Sequence, residues 1–201
     1  TSPPYNLRNS SGNGMKSPGR KWKNPQLQFG YETHDDNMPH DEYVAWQRDC
    51  LTEMMRLIPE TGAIFYNHKW RVQKGLIQDR ADIVDGFPVR QIIIWQRKGG
   101  MNFNPQFFLP TYEVIYLIAK PKFRLADKAN AQGDVWQVTQ EFKSSHPAPF
   151  PVELPEKIIR STNSQIILDP FMGSGSTAIA ALKCNRGYIG IEKSPQYQDM
   201  A

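Results

Sequence analysis

One stretch of the chain, IILDPFMGSGSTAIAAL, has the residue types and spacing of a nucleoside-binding turn. Its apolar run predicts a buried strand that ends at Asp169. Gly173 and Gly175 then allow the backbone to approach a ligand closely, at the carboxyl end of a strand, where α/β sheets bind nucleotides. The following helix is predicted to begin near Ser176 or Thr177, both of which are good N-cap residues.

The residues after these glycines limit the ligand that the turn could hold. A phosphate-binding P-loop needs a lysine after its last glycine, where this chain has Ser176, and the dinucleotide pattern GxGxxG is incomplete. The next predicted strand, YIGIE, ends at Glu192, where a carboxylate could accept hydrogen bonds from ribose hydroxyls. A ribose partner without a phosphate clamp fits S-adenosylmethionine. A tight turn followed by a surface glutamate is the alternative.

The opening stretch, TSPPYNL, is the second feature that could carry chemistry. Pro3 and Pro4 each fix their own φ and restrict the residue before them, so this corner is rigid and non-helical. Ser2 and Tyr5 flank the prolines with a hydroxyl group and an aromatic ring. Taken alone, the stretch is also compatible with a rigid turn at the end of a strand.

Composition and charge narrow the class of protein. The 201 residues, 39% of them hydrophobic, suffice for one domain with a packed core. The longest apolar run is too short to cross a bilayer, and the two cysteines and scattered histidines predict neither a disulfide framework nor a metal site. The net charge is only +4. Residues 1–31 nevertheless lack acidic side chains and carry basic ones that suit either a polyanion or a solvated loop: Arg8, Lys16, Arg20, Lys21 and Lys23.

The rest of the chain predicts the elements that position these residues. Residues 6–40 are rich in Gly, Ser, Asn and Pro and predict a long loop, while residues 121–145 predict a polar excursion with Trp136 as its anchor. Elsewhere helix and strand alternate, which predicts an α/β, mostly parallel sheet with Trp46 and Trp95 in the core. Helices are predicted over 39–58, 71–82, 151–163 and 176–187, and strands over 62–69, 89–98, 111–120, 164–171 and 188–194.

The motifs together resemble those of DNA amino-methyltransferases, which methylate the exocyclic nitrogen of cytosine or adenine. DPFMGSGST followed by GYIGIEKSPQY resembles the cofactor-binding half of that family, and TSPPYNL resembles its catalytic signature. HPAPFPVELPEKII resembles the segment at the methionine end of the cofactor. With the catalytic motif first, the order is that of the permuted beta class. The resemblance covers nearly the whole chain and implies a circularly permuted, Rossmann-like fold that uses S-adenosylmethionine.

The resemblance also implies roles for individual residues. The Ser2 hydroxyl and the Pro3 carbonyl would accept hydrogen bonds from the target amine, and Tyr5 would stack on a base flipped out of double-stranded DNA. Asn67 and His68 would lie near that base, unless they only cap a strand end. No metal is implied. The cofactor would be bound by His146, Pro149, Phe150, Asp169, Phe171, Gly173, Gly175, Thr177 and Glu192.

The family pattern further divides the chain into a catalytic half, residues 1–120, a target-recognition excursion, residues 121–145, and a cofactor-binding half, residues 146–201. The loop of residues 6–40 would contact DNA. Because the family has a strand and an acidic adenine contact ahead of its catalytic signature, we expect a fragment truncated at both ends. A cytoplasmic protein of a prokaryote or phage is expected, with a homodimer and a cognate restriction endonuclease as further partners.

Three functions remain open at this point. The first is methyl transfer to DNA, with N4 of cytosine favoured over N6 of adenine because Ser2 stands where adenine enzymes most often carry Asp or Asn. The second is an inactive module that binds cofactor and DNA. The third is methylation of a protein glutamine or an RNA adenine. We interpret Glu113 as structural and favour packing over DNA stacking for Phe103, Phe107 and Phe108.

Overall fold

The structure, a computed structural model, describes residues 1–6, 38–73, 76–97, 102, 104–139 and 151–198. Its helices are α1 (His40–Leu57), α2 (Ala81–Val84), α3 (Glu153–Arg160), α4 (Ser176–Lys183) and α5 (Pro195–Gln198), with a 3₁₀ turn at Ala129–Ala131. Its strands are β1 (Ala63–His68), β2 (Arg71–Gln73), β3 (Leu76–Gln78), β4 (Val89–Gln96), β5 (Tyr112–Ala119), β6 (Val135–Gln137), β7 (Ile166–Asp169) and β8 (Gly187–Gly190).

Helix α1 forms where helical spacing of apolar residues predicted it. Tyr43, Leu51 and Met54 are buried on one face together with Gln47. Acidic residues occupy the first turn and a basic residue the last, which favours the helix dipole at both ends. Ile58 is extended because it precedes a proline, and the helix ends there.

The larger sheet has the strand order β1-β5-β4-β6. Strand β5 is antiparallel to both β1 and β4, whereas β4 and β6 pair in parallel. The prediction of a mostly parallel sheet is therefore wrong for these strands. The physical reason is the direct connection from β4 to β5, since consecutive neighbouring strands without a crossover helix pair antiparallel.

The segment of residues 71–82 corrects a second prediction. We predicted one helix there, but the structure has the antiparallel hairpin β2–β3, in which Val72 pairs with Ile77, followed by the single-turn helix α2. Leu76 and Ile77 are 74% and 60% exposed, so these apolar residues do not form the buried face of a helix.

Side chains alternate across the larger sheet and build a core on each face. Ile115 and Leu117 of β5 belong to one cluster, which also contains Trp95 and Trp136. Tyr116 and Ile118 point to the other face, where the buried residues of α1 cover them. The core position predicted for Trp95 is confirmed, since this residue is 2% exposed.

The remaining elements form a strand–helix–strand unit, in which β7 and β8 pair in parallel and α4 connects them. Small residues of α4, Ala180 and Ala181, are fully buried and pack with Ile159 of α3. This is the element order predicted around the glycine turn. In the part of the chain that the structure describes, no helix combines the length and apolar character that crossing a bilayer requires.

Candidate active site

Thr1 joins the opening corner to the ends of two strands. Its nitrogen donates to the Phe65 carbonyl at 2.9 Å, and its carbonyl accepts from the Asn67 amide at 2.9 Å, so the chain enters the corner alongside β1. Its hydroxyl donates to Asp169 Oδ1 at 2.7 Å, at the end of β7. The opening corner and the glycine turn therefore lie at one edge of the strands, as predicted, although they are far apart in sequence.

Successive carbonyl groups of the corner are held by side chains from other elements. Tyr43 of α1 donates to the Pro4 carbonyl at 2.7 Å, and Arg80 donates to the Tyr5 carbonyl at 3.2 Å. Arg71 donates to the carbonyl of the next residue, Asn6. The backbone direction at the two prolines is therefore fixed by the surrounding fold as well as by the proline rings.

The side chains of the corner belong to a polar network. Ser2 Oγ lies 2.7 Å from Tyr5 Oη, which donates to Glu113 Oε2 at 2.9 Å. The Asn67 amide nitrogen contacts Tyr5 Oη and donates to Glu113 Oε2 at 2.9 Å. Arg97 Nη1 pairs with the other carboxylate oxygen, Oε1, at 3.2 Å. Asn67, predicted to lie near the target base, thus contacts the predicted catalytic residues directly.

His68 packs beneath this network. Its ring stacks on Tyr5 with a centroid distance of 4.7 Å and an interplanar angle of 30°. Burial and, second, the neighbouring Arg80 guanidinium lower the pKa of His68 from 6.5 to about 3, although the Lys69 carbonyl acts in the opposite direction. His68 is therefore neutral near pH 7. His68 therefore lies beside the opening corner, as predicted, and its contact with DNA stays a prediction.

Because the imidazole is neutral, two acceptors compete for the single proton of the Tyr43 hydroxyl: His68 Nε2 and the Pro4 carbonyl. His68 Nδ1 lies 2.9 Å from the Lys69 carbonyl, which can only accept, so this nitrogen carries the ring proton. Nε2 is then an acceptor, 2.6 Å from the Tyr43 hydroxyl. That hydroxyl also faces the Pro4 carbonyl. Tyr43 thus connects the buried imidazole with the backbone of the opening corner.

The glycine turn has the backbone conformation that its composition predicts. Gly173 and Gly175 have φ values of 54° and 83°, in the left-handed region that glycine adopts without steric cost. Gly175 is itself the N-cap of α4, so the N-cap role predicted for Ser176 or Thr177 is wrong. The Thr177 hydroxyl instead donates to Asp169 Oδ2 at 2.6 Å, beneath the turn.

Glu192 contacts the glycine turn from a position two residues after β8, which ends at Gly190 and not at Glu192 as predicted. Its Oε2 accepts from the Gly173 amide at 2.8 Å, and its Oε1 accepts from the Ser194 amide at 2.8 Å. Each carboxylate oxygen can accept a second hydrogen bond, so the group retains capacity for two ribose hydroxyls. Phe171 of the turn meets the edge of Trp46 at a centroid distance of 5.8 Å, which places Trp46 beside the turn as well as against the core.

Some predicted site residues lie outside the described residues, as does almost all of the loop of residues 6–40. These are the basic residues Arg8, Lys16, Arg20, Lys21 and Lys23, and the predicted cofactor contacts His146, Pro149 and Phe150. Within the described residues, no group of His, Cys, Asp and Glu side chains has an arrangement that could hold a metal ion.

The structure adds residues that the sequence interpretation missed. Glu113, which we interpreted as structural, contacts Tyr5 and Asn67 in the candidate site. The sequence feature that could have indicated this contact is a single carboxylate inside the apolar run TYEVIYLIAK. Tyr43 and Arg80 belong to segments predicted as helices, residues 39–58 and 71–82, and only the fold brings them to the corner. Phe108 is 95% exposed, so the packing favoured for it is wrong.

Comparison with known proteins places these motifs in context. The model of the N6/N4 methyltransferase family, described as DNA methylase, matches residues 1–201. The type II methyltransferase M.ScaI of Streptomyces caespitosus is 43% identical over 88% of this chain and 71% of its own length. The type II methyltransferase M.BglII of Bacillus subtilis is 28% identical over 100% of this chain, and the chain spans only 61% of its length.

A solved structure shows the same architecture. The crystal structure of the M1.HpyAVI–SAM complex superposes with a TM-score of 0.63 at 26% sequence identity. The match covers 76% of this chain and 78% of that chain. The mixed sheet and the strand–helix–strand unit of the present chain are therefore those of a Rossmann-like methyltransferase fold.

Proposed function

The chain belongs to the N6/N4 family of DNA methylases, and from this premise we propose that it transfers a methyl group from S-adenosylmethionine to an exocyclic amino group of a base in DNA. The observation that carries the proposal is the Thr1–Asp169 hydrogen bond of 2.7 Å, because it brings the catalytic corner to the glycine turn. Reacting atoms must approach to about 3–3.5 Å, which requires such neighbouring sites.

The donor groups around the glycine turn fit S-adenosylmethionine. Glu192 keeps acceptor capacity for ribose hydroxyls, and the left-handed Gly173 and Gly175 let the backbone approach the ligand. Asp169 fixes the start of the turn through its bonds to Thr1 and Thr177. The bound cofactor would supply an electrophilic methyl group. His146, Pro149 and Phe150 stay predicted contacts for its methionine end.

The catalytic corner would act on the amine by positioning and electrostatics. The amine lone pair is delocalised into the base, so acceptors directed at its two N–H bonds are needed to favour attack. We assign these acceptors to Ser2 Oγ and the Pro3 carbonyl. The carbonyls of Pro4 and Tyr5 are engaged by Tyr43 and Arg80, which holds the corner in one direction. The protein forms no covalent intermediate in this scheme.

The base would be read after it leaves the duplex. Tyr5 is held at its hydroxyl end by Glu113 and stacks on His68, so its ring is a preorganised partner for a flipped base. Ser2 is short and uncharged, which favours the smaller cytosine ring, and we therefore propose N4 of cytosine as the target. N6 of adenine is the alternative.

Contacts with double-stranded DNA are proposed for the basic residues of the loop 6–40, for residues 121–145 and for the exposed ring of Phe108. Basic side chains bind phosphates, whereas an aromatic side chain can occupy the space that a flipped base leaves. A homodimer and a cognate restriction endonuclease stay predictions from the family resemblance.

The test is nucleoside analysis of DNA from cells that express the complete reading frame. N4-methylcytosine should appear with the unsubstituted protein and disappear with Ser2→Ala, while Glu60→Gln, an exposed residue far from the corner, should keep it. N6-methyladenine as the only product would show that Ser2 was interpreted wrongly. Cofactor binding without methylation of any base would indicate the inactive module instead.

A further inference from the structure

A chain of hydrogen bonds connects the Ser2 hydroxyl with the carboxylate of Glu113. Ser2 Oγ lies 2.7 Å from Tyr5 Oη, and Tyr5 Oη lies 2.9 Å from Glu113 Oε2. The Asn67 amide nitrogen donates to Tyr5 Oη and, at 2.9 Å, to Glu113 Oε2. Glu113 is 5% exposed, so the chain ends on a carboxylate that is almost fully shielded from water.

The charged end of this chain fixes the direction of its protons. Arg97 Nη1 lies 3.2 Å from Glu113 Oε1, and a carboxylate in such an ion pair can only accept. The Asn67 amide nitrogen can only donate, so Tyr5 Oη accepts from it. The Tyr5 hydroxyl then donates its single proton to Glu113 Oε2. Ser2 can then only donate to Tyr5. The Ser2 oxygen therefore keeps its lone pairs for other donors: one faces the Asn67 amide nitrogen at 3.4 Å, and one is left for the target amine.

We propose that Glu113 is a positioning residue for methyl transfer: acting through Tyr5, it makes the Ser2 hydroxyl an acceptor for the target amine and receives the proton that the amine loses. This inference rests on the proposed function and deepens it. In this proposal Tyr5 transfers a proton as well as stacking on the base. The proposal also explains why the Glu113 carboxylate is buried in the network, since positioning of the amine alone would not require it.

The proton transfer balances atom by atom. As the amine nitrogen uses its lone pair to bond the incoming methyl carbon, it becomes positively charged, and its N–H bond breaks. That proton passes to Ser2 Oγ, the Ser2 proton passes to Tyr5 Oη, and the Tyr5 proton passes to Glu113 Oε2. Ser2 and Tyr5 end neutral, and Glu113 becomes a neutral carboxylic acid. Release of this proton to solvent restores the ion pair with Arg97.

The test compares Glu113→Gln with the unsubstituted protein, both expressed from the complete reading frame, in single-turnover methylation of a duplex that the protein modifies. The amide retains the shape of the side chain but cannot take up the proton. We expect the methyl-transfer rate to fall by about 10²-fold, the scale of general acid–base catalysis, while the affinity for the duplex changes less than about threefold. Glu60→Gln, which replaces an exposed carboxylate 3.9 Å from Lys120, is the matched control and should keep the rate.

A second variant separates proton transfer from packing. Tyr5→Phe should reduce the rate by a similar factor, and the double variant should be no slower than either single one, because both substitutions interrupt one chain. A solvent deuterium isotope effect on the unsubstituted rate should vanish in Glu113→Gln. A rate within about twofold of the unsubstituted protein, or a loss of rate matched by an equal loss of duplex affinity, would overturn the proposal.

A spectroscopic measurement tests the proton direction without any activity. The ¹³Cζ resonance of Tyr5, assigned with Tyr5→Phe, should shift in Glu113→Gln because the phenol loses its ionised acceptor, and it should stay in place in Glu60→Gln. An unchanged resonance in Glu113→Gln would refute the proton order. Failure of the unsubstituted protein to methylate any DNA would count against the proposed function, and this measurement would still decide the arrangement of the network.

Discussion

Acidification should destabilise the fold through one buried imidazole, that of His68. The pKa of His68 is about 3 in the folded protein, mainly because of burial, and 6.5 is its ordinary value in an unfolded chain. Between these values the unfolded chain binds a proton that the folded protein excludes, so the stability falls as the pH falls. From about pH 7 to about pH 5, the loss of unfolding free energy attributable to this residue is about 2 kcal/mol.

Urea unfolding followed by tryptophan fluorescence at both pH values measures this loss. His68→Gln removes the titrating group, so its unfolding free energy should fall about 2 kcal/mol less over the same pH interval. His40→Gln is the control, since His40 lies in a partly exposed pair with Asp82 and should keep the full loss. Equal pH dependence in the unsubstituted protein and His68→Gln would mean that the His68 imidazole is not held neutral by its surroundings.

Three further predictions concern the glycine turn. Glu192→Ala should weaken S-adenosylmethionine binding by roughly 1–3 kcal/mol in calorimetry, because it removes the charged acceptor and frees the Gly173 amide; an unchanged affinity would exclude the ribose assignment. Thr177→Val should lower the unfolding free energy by about 1.5–3 kcal/mol, since the Asp169 carboxylate loses a donor at 2.6 Å, and a neutral effect in denaturant titration would contradict this. Gly175→Ala forces a φ of 83° on a residue with Cβ and should cost about 1 kcal/mol by the same titration; a gain in stability would refute the strain.

The elements with strong local signals could be predicted from the sequence. Helix α1 followed from helical spacing of apolar residues, and the strand–turn–helix around Gly173 followed from an apolar run, two glycines and a small-residue helix. The segment of residues 71–82 was mispredicted because the spacing of its apolar residues is compatible with both a helix and a strand. The structure instead pairs Val72 with Ile77 in a hairpin, and Ile77 is 60% exposed, so it does not contribute to a buried helix face.

The site was predictable only in part, for a physical reason. Ser2, Tyr5 and the glycine turn carry recognisable local motifs, whereas the residues that hold them act across long sequence separations. Glu113 lies 108 residues from the Tyr5 hydroxyl that it accepts from. Arg80 lies 75 residues from the Tyr5 carbonyl. A single charged residue in an apolar strand does not reveal its hydrogen-bond partner, because that partner depends on how the strands pair and not on spacing in the sequence.

The hydrogen bond between Thr1 and Asp169 has a consequence for the time at which the site can form. The two residues are 168 positions apart, so almost the whole described chain must be synthesised before the opening corner can contact the glycine turn. At about 5–20 residues per second of synthesis, that delay is about 10–30 s. During it, the corner can pair with β1 while the ribosome is still adding β7. A nascent chain therefore carries the opening corner without the glycine turn, and the proposed site can form only after the sequence around Asp169 has left the ribosome.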